Sequence, residues 1–453
     1  MKHQSSILEG SLLPTVITYT IPIILSSILQ LLFNAADLIV VGKFCGSVSV
    51  GAVGATGALT ALIVNLFIGL SIGAGVVVAH GIGSRDEAQI REAVQTSMPL
   101  SLIGGAVLTV AGVMLAKPLL VLMGTPENTL PLSIVYMQVY FLGITFTLVY
   151  NFCAAILRAA GDTQGPLIYL VVSGVINVIL NLIFVTVLHM NVAGVALATV
   201  ISQGVAAVLV VLALIRRKDA CHLDLRRMRI HKRVLLKIIR IGLPAGIQSS
   251  LFAIANVTIQ SSVNSFGDVF VSGNAAAGNL EGFLYAAQNA FHQTTVNFVG
   301  QNVGARQYRR ANKTVWLCQG CVIVVDLTIA ILFNVFGEFL LGIYISDSPE
   351  AVACGMLRLV YMMQPYFLFG LLDVSTGALR GYGRSLGPMI VSVLGICGLR
   401  LVWISTVFQL PAFHNPKWLY MIYPISWIIT LTVQSILFFR VRNQYLHKDI
   451  TEI

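Results

Sequence analysis

Charged residues are scarce in this sequence. Asp, Glu, Lys and Arg make up 10% of the 453 residues, whereas hydrophobic residues make up 57%, and the mean hydropathy is +0.86. A soluble protein carries far more charge, so this composition excludes a soluble globular protein. Uncharged apolar stretches take the place of polar surface, and each is long enough to cross roughly 30 Å of hydrocarbon as a helix. The chain is therefore predicted to cross a membrane many times.

The apolar stretches predict an all-α polytopic membrane protein with twelve transmembrane helices. The first stretch has the length of a span and contains Pro22, so it is expected to remain as the first helix rather than to be a cleaved signal peptide. The predicted spans cover residues 14–42, 50–80, 93–116, 131–157, 163–188, 192–215, 239–264, 272–302, 313–337, 351–379, 385–409 and 418–439.

Motifs typical of disulfide-rich proteins, metal sites and enzymes are missing as well. The seven cysteines are scattered and indicate no disulfide framework, and the Cys318–Cys321 pair has no second Cys or His pair at metal-site spacing. No GxxxxGK[ST] loop or HExxH motif occurs in the sequence. We therefore expect neither an enzyme nor an ATP-driven pump, and neither a cofactor nor a metal beyond a possible Na⁺.

Basic residues are distributed unevenly between the two sides of the predicted spans. If the first span starts inside, only Lys43, Lys117 and Lys417 lie outside, Arg358 and Arg400 lie within spans, and the remaining Lys and Arg residues are cytoplasmic. The positive-inside rule then predicts that both termini are cytoplasmic. The basic run at 216–240 is expected to lie on anionic lipid rather than to bind nucleic acid.

The second half of the sequence repeats the first. A shift of 222 residues aligns Pro22 with Pro244 and Asn34 with Asn256, and it also aligns LRAAGDTQGP at 157–166 with LRGYGRSLGP at 379–388. Because each half holds an even number of spans, the repeats are parallel and predict two pseudo-symmetric six-helix bundles. The predicted division is an amino-terminal lobe at 1–218, a basic cytoplasmic linker at 219–238 and a carboxy-terminal lobe at 239–453.

Polar residues inside the first-half spans indicate a site for a small cation. A buried acid in a membrane is costly and calls for a functional explanation, although the amides could also serve only to bond helices together. Carboxylate, amide and hydroxyl oxygens could ligate Na⁺, and the carboxylate could equally carry H⁺. The residues are Asp37, Asn151, Asn177, Asn181 and Thr199.

A second polar set indicates a substrate cavity. Gln288 follows Glu281 at helical spacing on the same face, and Met363 offers an adaptable apolar surface for lipophilic cations. Candidate cavity residues are Asn34, Asn256, Glu281, Gln288, Met363 and Asp373.

Several motifs in a fixed order give the sequence a family resemblance over nearly its whole length. They are NAADLIVVG at 34–42, GSRDEAQIREAV at 83–94, ILRAAGDTQGP at 156–166, NVAGVALATV at 191–200 and ALRGYGRSLGP at 378–388. With these motifs the chain resembles the multidrug and toxic compound extrusion family. The resemblance implies twelve helices in two lobes, and it implies a cation site made by Asp37, Asn151, Asn177, Asn181 and Thr199.

The resemblance also implies a function. It implies export of organic cations and drugs by antiport with Na⁺ or H⁺, by a monomer with small lipophilic or cationic substrates in the lipid bilayer of a bacterial plasma membrane. Some branches of the family carry an acid in the seventh span, where Phe252 and its neighbours are neutral here. Two alternatives remain open: a flippase for lipid-linked oligosaccharide, and an exporter of an endogenous metabolite.

Overall fold

The first half of the chain folds into seven long helices. The computed structural model describes residues 7–345 and 348–451, and this part of the chain contains helices and turns but no strand. Helices suit such apolar segments because all backbone hydrogen bonds are then made within the segment, as a hydrocarbon environment requires. The helices are α1 (Leu12–Cys45), α2 (Ser47–Ser84), α3 (Glu87–Leu122), α4 (Leu130–Leu142), α5 (Ile144–Ala159), α6 (Gln164–Leu182), which continues as a π-helix at Ile183–Val187, and α7 (Asn191–Arg216).

The second half is more interrupted. Two of its runs contain π-helical segments, Leu359–Met363 between α11 and α12 and Val393–Gly398 between α13 and α14. The helices are α8 (Lys232–Asn264), α9 (Asp268–Gly304), α10 (Tyr308–Tyr344), α11 (Pro349–Arg358), α12 (Phe367–Gly381), α13 (Leu386–Ser392), α14 (Leu399–Ser405) and α15 (Pro416–Thr451).

These helices confirm the predicted fold class. Within the described residues, ten helical runs are long and apolar enough to cross a membrane, and α4 with α5 form an eleventh that is bent by 47°. The predicted eighth span coincides with α9, a helix of 37 residues that carries Glu281, Gln288 and His292 and is correspondingly more polar. The other eleven predicted spans fall on these runs, whereas α9 is a long helix that does not meet the same criterion of length and apolarity.

The backbone repeats itself in the same register as the sequence. Gly46 and Gly267 precede α2 and α9 with the same dihedral angles, φ 88° and ψ 172°. Arg85 and Arg306 follow these two helices, both in the left-handed region at φ 55° and φ 59°. A non-glycine residue rarely adopts this conformation, so its recurrence at equivalent positions is strong evidence for an internal repeat.

The described residues form two compact units. Unit 1 contains residues 7–10 and Thr18–Ser250, and unit 2 contains Ser11–Ile17 and residues 251–451. The first half of α8 belongs to unit 1 because its backbone lies directly against α2: a Cβ atom at Gly73 would be 2.8 Å from the Gly242 nitrogen. The predicted lobes at 1–218 and 239–453 stay a prediction.

The segment after α7 is folded by an ion pair. The Arg217 guanidinium lies 2.6 Å from the Asp219 carboxylate, which also accepts a hydrogen bond of 3.0 Å from the Cys221 backbone. Burial by itself would raise the pKa of Asp219, but the hydrogen bond and charge of Arg217 outweigh it and hold that pKa below its usual value. The basic linker therefore starts with a defined turn.

Candidate functional site

Three helices of unit 1 bring a buried carboxylate together with two amides and a hydroxyl. The Asp37 side chain on α1 accepts a short hydrogen bond at Oδ1 from Asn181 Nδ2 on α6. The same Asn181 nitrogen lies 3.2 Å from Asn177 Oδ1, one turn earlier on α6. Thr199 Oγ1 on α7 lies 3.4 Å from Asp37 Oδ2 and 3.4 Å from Asn177 Nδ2. Asp37, Asn177, Asn181 and Thr199 are called the Asp37 cluster below.

The Asp37 cluster is rich in oxygen and poor in charge. Asp37 is 9% exposed and its hydrogen-bond donors, Asn181 and Thr199, are neutral. Asn181 Oδ1 is buried and has no hydrogen-bond partner in the structure. Carboxylate, amide and hydroxyl oxygens are hard ligands, so this arrangement suits a small cation or a proton. No group of three or more His, Cys, Asp or Glu side chains that could hold a metal ion occurs among the described residues.

Packing holds the three helices of the cluster in contact. The Phe33 ring on α1 lies directly over Gly174 on α6, where no Cβ atom would fit. Ser173 on α6 donates a hydrogen bond of 2.7 Å to the Ser202 carbonyl on α7. Asn181 lies two residues before the π-helical segment Ile183–Val187, and such segments are often found at functional sites.

The cluster lies toward one end of its helices. Asp37 is about two turns from the end of α1, and Thr199 is in the third turn of α7. Next to it, buried valines from α1, the π-helical segment and α7 form an apolar layer. These are Val40, Val41, Val185, Val192 and Val195.

Four of the five residues predicted for cation coupling therefore meet. The fifth, Asn151, is only partly buried, and its amide nitrogen donates to the Thr147 carbonyl at 2.8 Å instead of to the Asp37 cluster. Asn34, predicted to line a substrate cavity, is exposed on α1.

In unit 2, Glu281 is neutralised by an arginine. Its Oε2 accepts a short hydrogen bond from Arg358 Nη2, and its Oε1 accepts one of 3.1 Å from the Tyr366 hydroxyl. The other arm of Arg358 donates to Asn274 Oδ1 at 2.7 Å, which also accepts from the Tyr420 hydroxyl at 2.9 Å. Glu281, Arg358, Asn274, Tyr366 and Tyr420 are called the Glu281 cluster below.

The other residues predicted for the cavity lie in separate surroundings. Gln288 donates to Asp326 Oδ2 at 2.7 Å rather than bonding to Glu281. The Asp373 carboxylate lies 3.1 Å from His292 Nδ1, and His292 Nε2 lies 3.0 Å from Arg380.

Two of these predicted cavity residues stand apart from any polar cluster. Met363 is 1% exposed and belongs to the apolar core of unit 2, whereas Asn256 is exposed on α8. The six predicted cavity residues thus do not form one hydrogen-bonded set.

Sequence reasoning missed the basic members of unit 2. Arg358 and Arg400 were assigned to spans, but no site role was predicted for them. Their burial in a membrane is costly, and that cost was the available signal. The partners could not be found in this way, because Glu281 and Tyr366 come from other parts of the chain.

Comparison with known proteins agrees with this architecture. The MatE family model matches twice, over residues 22–183 and 244–404, in the register of the internal repeat. The "Probable multidrug resistance protein YpnP" of Bacillus subtilis (strain 168) is 30% identical over 396 residues, covering 86% of this chain and 87% of that protein. An "FAD transporter" of Shewanella oneidensis is 25% identical over 411 residues, covering 89% of each chain.

The fold agrees with a solved structure as well. The outward-facing structure of a multidrug resistance MATE family transporter of the MOP superfamily superposes with a TM-score of 0.90 at 21% identity, covering 98% of this chain and 99% of that one. Together with the double match of the family model and the similarity to YpnP, this places the chain in a known group of transporters. The chain belongs to the MatE family of multidrug and toxic compound extrusion transporters.

Proposed function

We propose that this protein is a secondary active exporter of organic cations and drugs, driven by antiport with Na⁺ or H⁺. It would work as a monomer in a bacterial plasma membrane, with both termini cytoplasmic, and it would need no cofactor besides the coupling ion. Family membership supports transport rather than catalysis. The observation that carries the coupling proposal is the Asp37 cluster, a buried carboxylate bonded only to neutral donors.

The cluster offers a simple way to couple an ion to a conformational change. A carboxylate without a cationic partner is costly inside a membrane, and binding of Na⁺ or H⁺ removes most of that cost. A ligand shifts a conformational equilibrium only by binding its two states differently. We propose that the outward-facing state binds the ion at Asp37 and that the protein then changes to its inward-facing state. Release of the ion to the inside is coupled to expulsion of the drug.

Efflux of ethidium from cells tests this proposal. Wild type, Asp37→Asn and the control Asp268→Asn, whose side chain is exposed at the start of α9, are expressed to equal levels, with Na⁺ and pH gradients imposed separately. We expect wild type and Asp268→Asn to export the dye and Asp37→Asn to fail. The amide of the variant is neutral, so it has no negative charge to attract Na⁺ and no site to take up H⁺. The gradient that sustains export identifies the ion. Equal export by wild type and Asp37→Asn would remove Asp37 from the coupling mechanism.

A second candidate is export of an endogenous metabolite. The similarity to the Shewanella oneidensis FAD transporter favours it. In the same cells, flavins in the medium would be measured by their fluorescence. Accumulation above the level of empty-vector cells that is lost in Asp37→Asn would support this candidate, whereas unchanged flavin levels would oppose it.

A further inference from the structure

Arg400 is a buried cation without a carboxylate partner. Its side chain, on α14, is 5% exposed, and its Nε donates to Ser426 Oγ at 3.1 Å. It makes no ion pair within the described residues. The guanidinium carbon lies 4.1 Å from the centre of the Tyr423 ring and 5.7 Å from that of Trp427. Stacking on aromatic faces offsets only part of the cost of burying a guanidinium group in an apolar span.

The Glu281 cluster lies within electrostatic range of Arg400. Glu281 and Tyr423 interact with both guanidinium groups. Both carboxylate oxygens of Glu281 are already occupied, by Arg358 and Tyr366. Arg358 and Arg400 together carry two positive charges, and Glu281 carries one negative charge. One positive charge is therefore left without a balancing negative charge.

Hydrogen-bond donors are in surplus around this charge. Arg358 Nε and Trp427 Nε1 are buried and have no acceptor in the structure. A buried donor without an acceptor destabilises the folded protein, so a donor surplus indicates a ligand rich in acceptors. Guanidinium groups in particular match the geometry of carboxylate and phosphate.

The backbone around the two arginines is irregular. Arg358 directly precedes the π-helical segment Leu359–Met363, and Arg400 follows the segment Val393–Gly398 closely. Within the described chain the remaining π-helical segment adjoins Asn181 of the Asp37 cluster. Because π-helical turns recur at functional sites, both arginines lie where a binding site is expected.

Aromatic rings line the same region. The Trp427 ring lies 5.2 Å from that of Tyr366 and 5.7 Å from that of Phe369, measured between centroids. A planar ligand ring could pack against such side chains, as aromatic groups prefer offset or edge contacts at these separations.

We propose that Arg400 and Arg358, with Tyr423, form a site in unit 2 that binds the phosphate or carboxylate group of an aromatic substrate. The proposal goes beyond the function proposed above, because it concerns binding of an anion and holds whichever ion drives export. It makes anionic or zwitterionic compounds, and not cations alone, ligands of this protein.

Three naphthalene probes that differ only in their polar group test the proposal: 1-naphthyl phosphate, 1-naphthoate and neutral 1-naphthylmethanol. Binding to purified full-length protein is measured by titration calorimetry at fixed ionic strength. We expect wild type to bind at least one anion about tenfold or more tighter than the alcohol, because charge-assisted hydrogen bonds are the stronger kind. Comparing the two anions distinguishes a phosphate site from a carboxylate site.

Arg400→Gln is expected to bring the affinity for the preferred anion close to that of the alcohol and to leave binding of the alcohol unchanged. Arg442→Gln is the matched control, since Arg442 also lies over an aromatic ring, 5.2 Å from the Phe439 centroid, but near the end of α15. Arg400→Lys should retain part of the preference, because it keeps the charge and loses the planar fork.

Several results would reject the proposal. One is that wild type binds the anions no tighter than the alcohol, and another is that it binds none of the probes. A third is that Arg400→Gln leaves the anion preference intact. If Arg400→Gln cannot be purified as a monodisperse protein, Arg400→Lys decides: it keeps the charge but loses the planar fork, so it should weaken anion binding severalfold without changing binding of the alcohol. An unchanged anion affinity in Arg400→Lys then counts against the site. None of these outcomes depends on the efflux assay.

Discussion

At the scale of single residues, the buried acid Asp37 and the half-buried acid Glu281 have opposite surroundings. Asp37 accepts hydrogen bonds only from an amide and a hydroxyl, whereas Glu281 is paired with the Arg358 guanidinium. A cation that binds at Asp37 would therefore neutralise the carboxylate charge, whereas the charge of Glu281 is already balanced by Arg358. This difference is the physical reason for placing ion coupling at Asp37 rather than at Glu281.

The Thr199 hydroxyl offers a finer test of the Asp37 cluster than removal of the acid. Thr199→Val keeps the shape but removes an oxygen 3.4 Å from Asp37. We expect the concentration of driving ion at half-maximal efflux to rise about five- to tenfold, since one hydrogen bond or ligand is worth about 1 kcal/mol. Ion-dependent efflux from proteoliposomes measures this shift.

The control for this variant is Thr186→Val. Thr186 is half-buried in the π-helical segment beside the cluster, and its hydroxyl donates to the Leu182 carbonyl at 2.5 Å. An equal rise in both variants would assign the effect to local helix geometry, and no rise in Thr199→Val would exclude the hydroxyl from ion binding.

At the scale of helices, the position of Asp37 depends on the contact between α1 and α6. Phe33 is one turn before Asp37, and its ring occupies the space in which a Cβ atom of Gly174 would lie. Gly174 in turn is one turn before Asn177. This contact therefore sets how closely the carboxylate approaches the two amides.

Gly174→Ala is expected to destabilise the protein and weaken ion-driven efflux. Overpacking a tight contact costs typically about 1–3 kcal/mol, and the displaced α1 would carry Asp37 away from Asn181. The melting temperature in detergent and the efflux rate are the measurements. Adding Phe33→Leu should restore part of both, because the smaller side chain frees space.

Gly204→Ala on α7 provides the comparison. A Cβ atom there would lie 3.6 Å or more from the Phe146 ring, an ordinary contact. Alanine is favoured over glycine inside a helix by roughly 0.5–1 kcal/mol, so the melting temperature should stay equal or rise. A similar loss in both variants would mean that helix composition rather than the Phe33 contact is responsible.

At the scale of the whole molecule, the repeat and the charge distribution lead to a prediction of orientation. Both halves follow the same order of helices and the same turn conformations at Arg85 and Arg306. If both halves start on the same side, as parallel repeats do, the basic linker and both termini lie on one side of the membrane.

Reporter fusions test this orientation. Green fluorescent protein fused after residue 453 should fluoresce, because it matures in the cytoplasm. Alkaline phosphatase fused after His414, in the turn before α15, should be active, because it matures outside. The reverse pattern, a dark green fluorescent protein fusion with inactive phosphatase, would overturn the predicted topology.

The fold and part of the Asp37 cluster follow from the sequence alone. In hydrocarbon, the backbone N–H and C=O groups of a long uncharged segment are all paired when the segment forms a helix. The predicted spans accordingly fall on helices of the series α1 to α15. The constant shift between the halves predicted the repeat that the family model also matches. Asp37 and the pair Asn177 and Asn181 stood out because polar groups are costly in apolar spans and helical spacing reveals which share a face.

Only the tertiary structure decided which polar residues become partners. Sequence periodicity predicts on which face of its own helix a side chain lies. Which residues that face contacts depends on how helices distant in the sequence pack together. For this reason the sequence paired Glu281 with Gln288 on one helix, whereas the structure pairs Glu281 with Arg358 and Gln288 with Asp326. Asn151 likewise has the expected chemistry, yet its amide nitrogen bonds to its own helix.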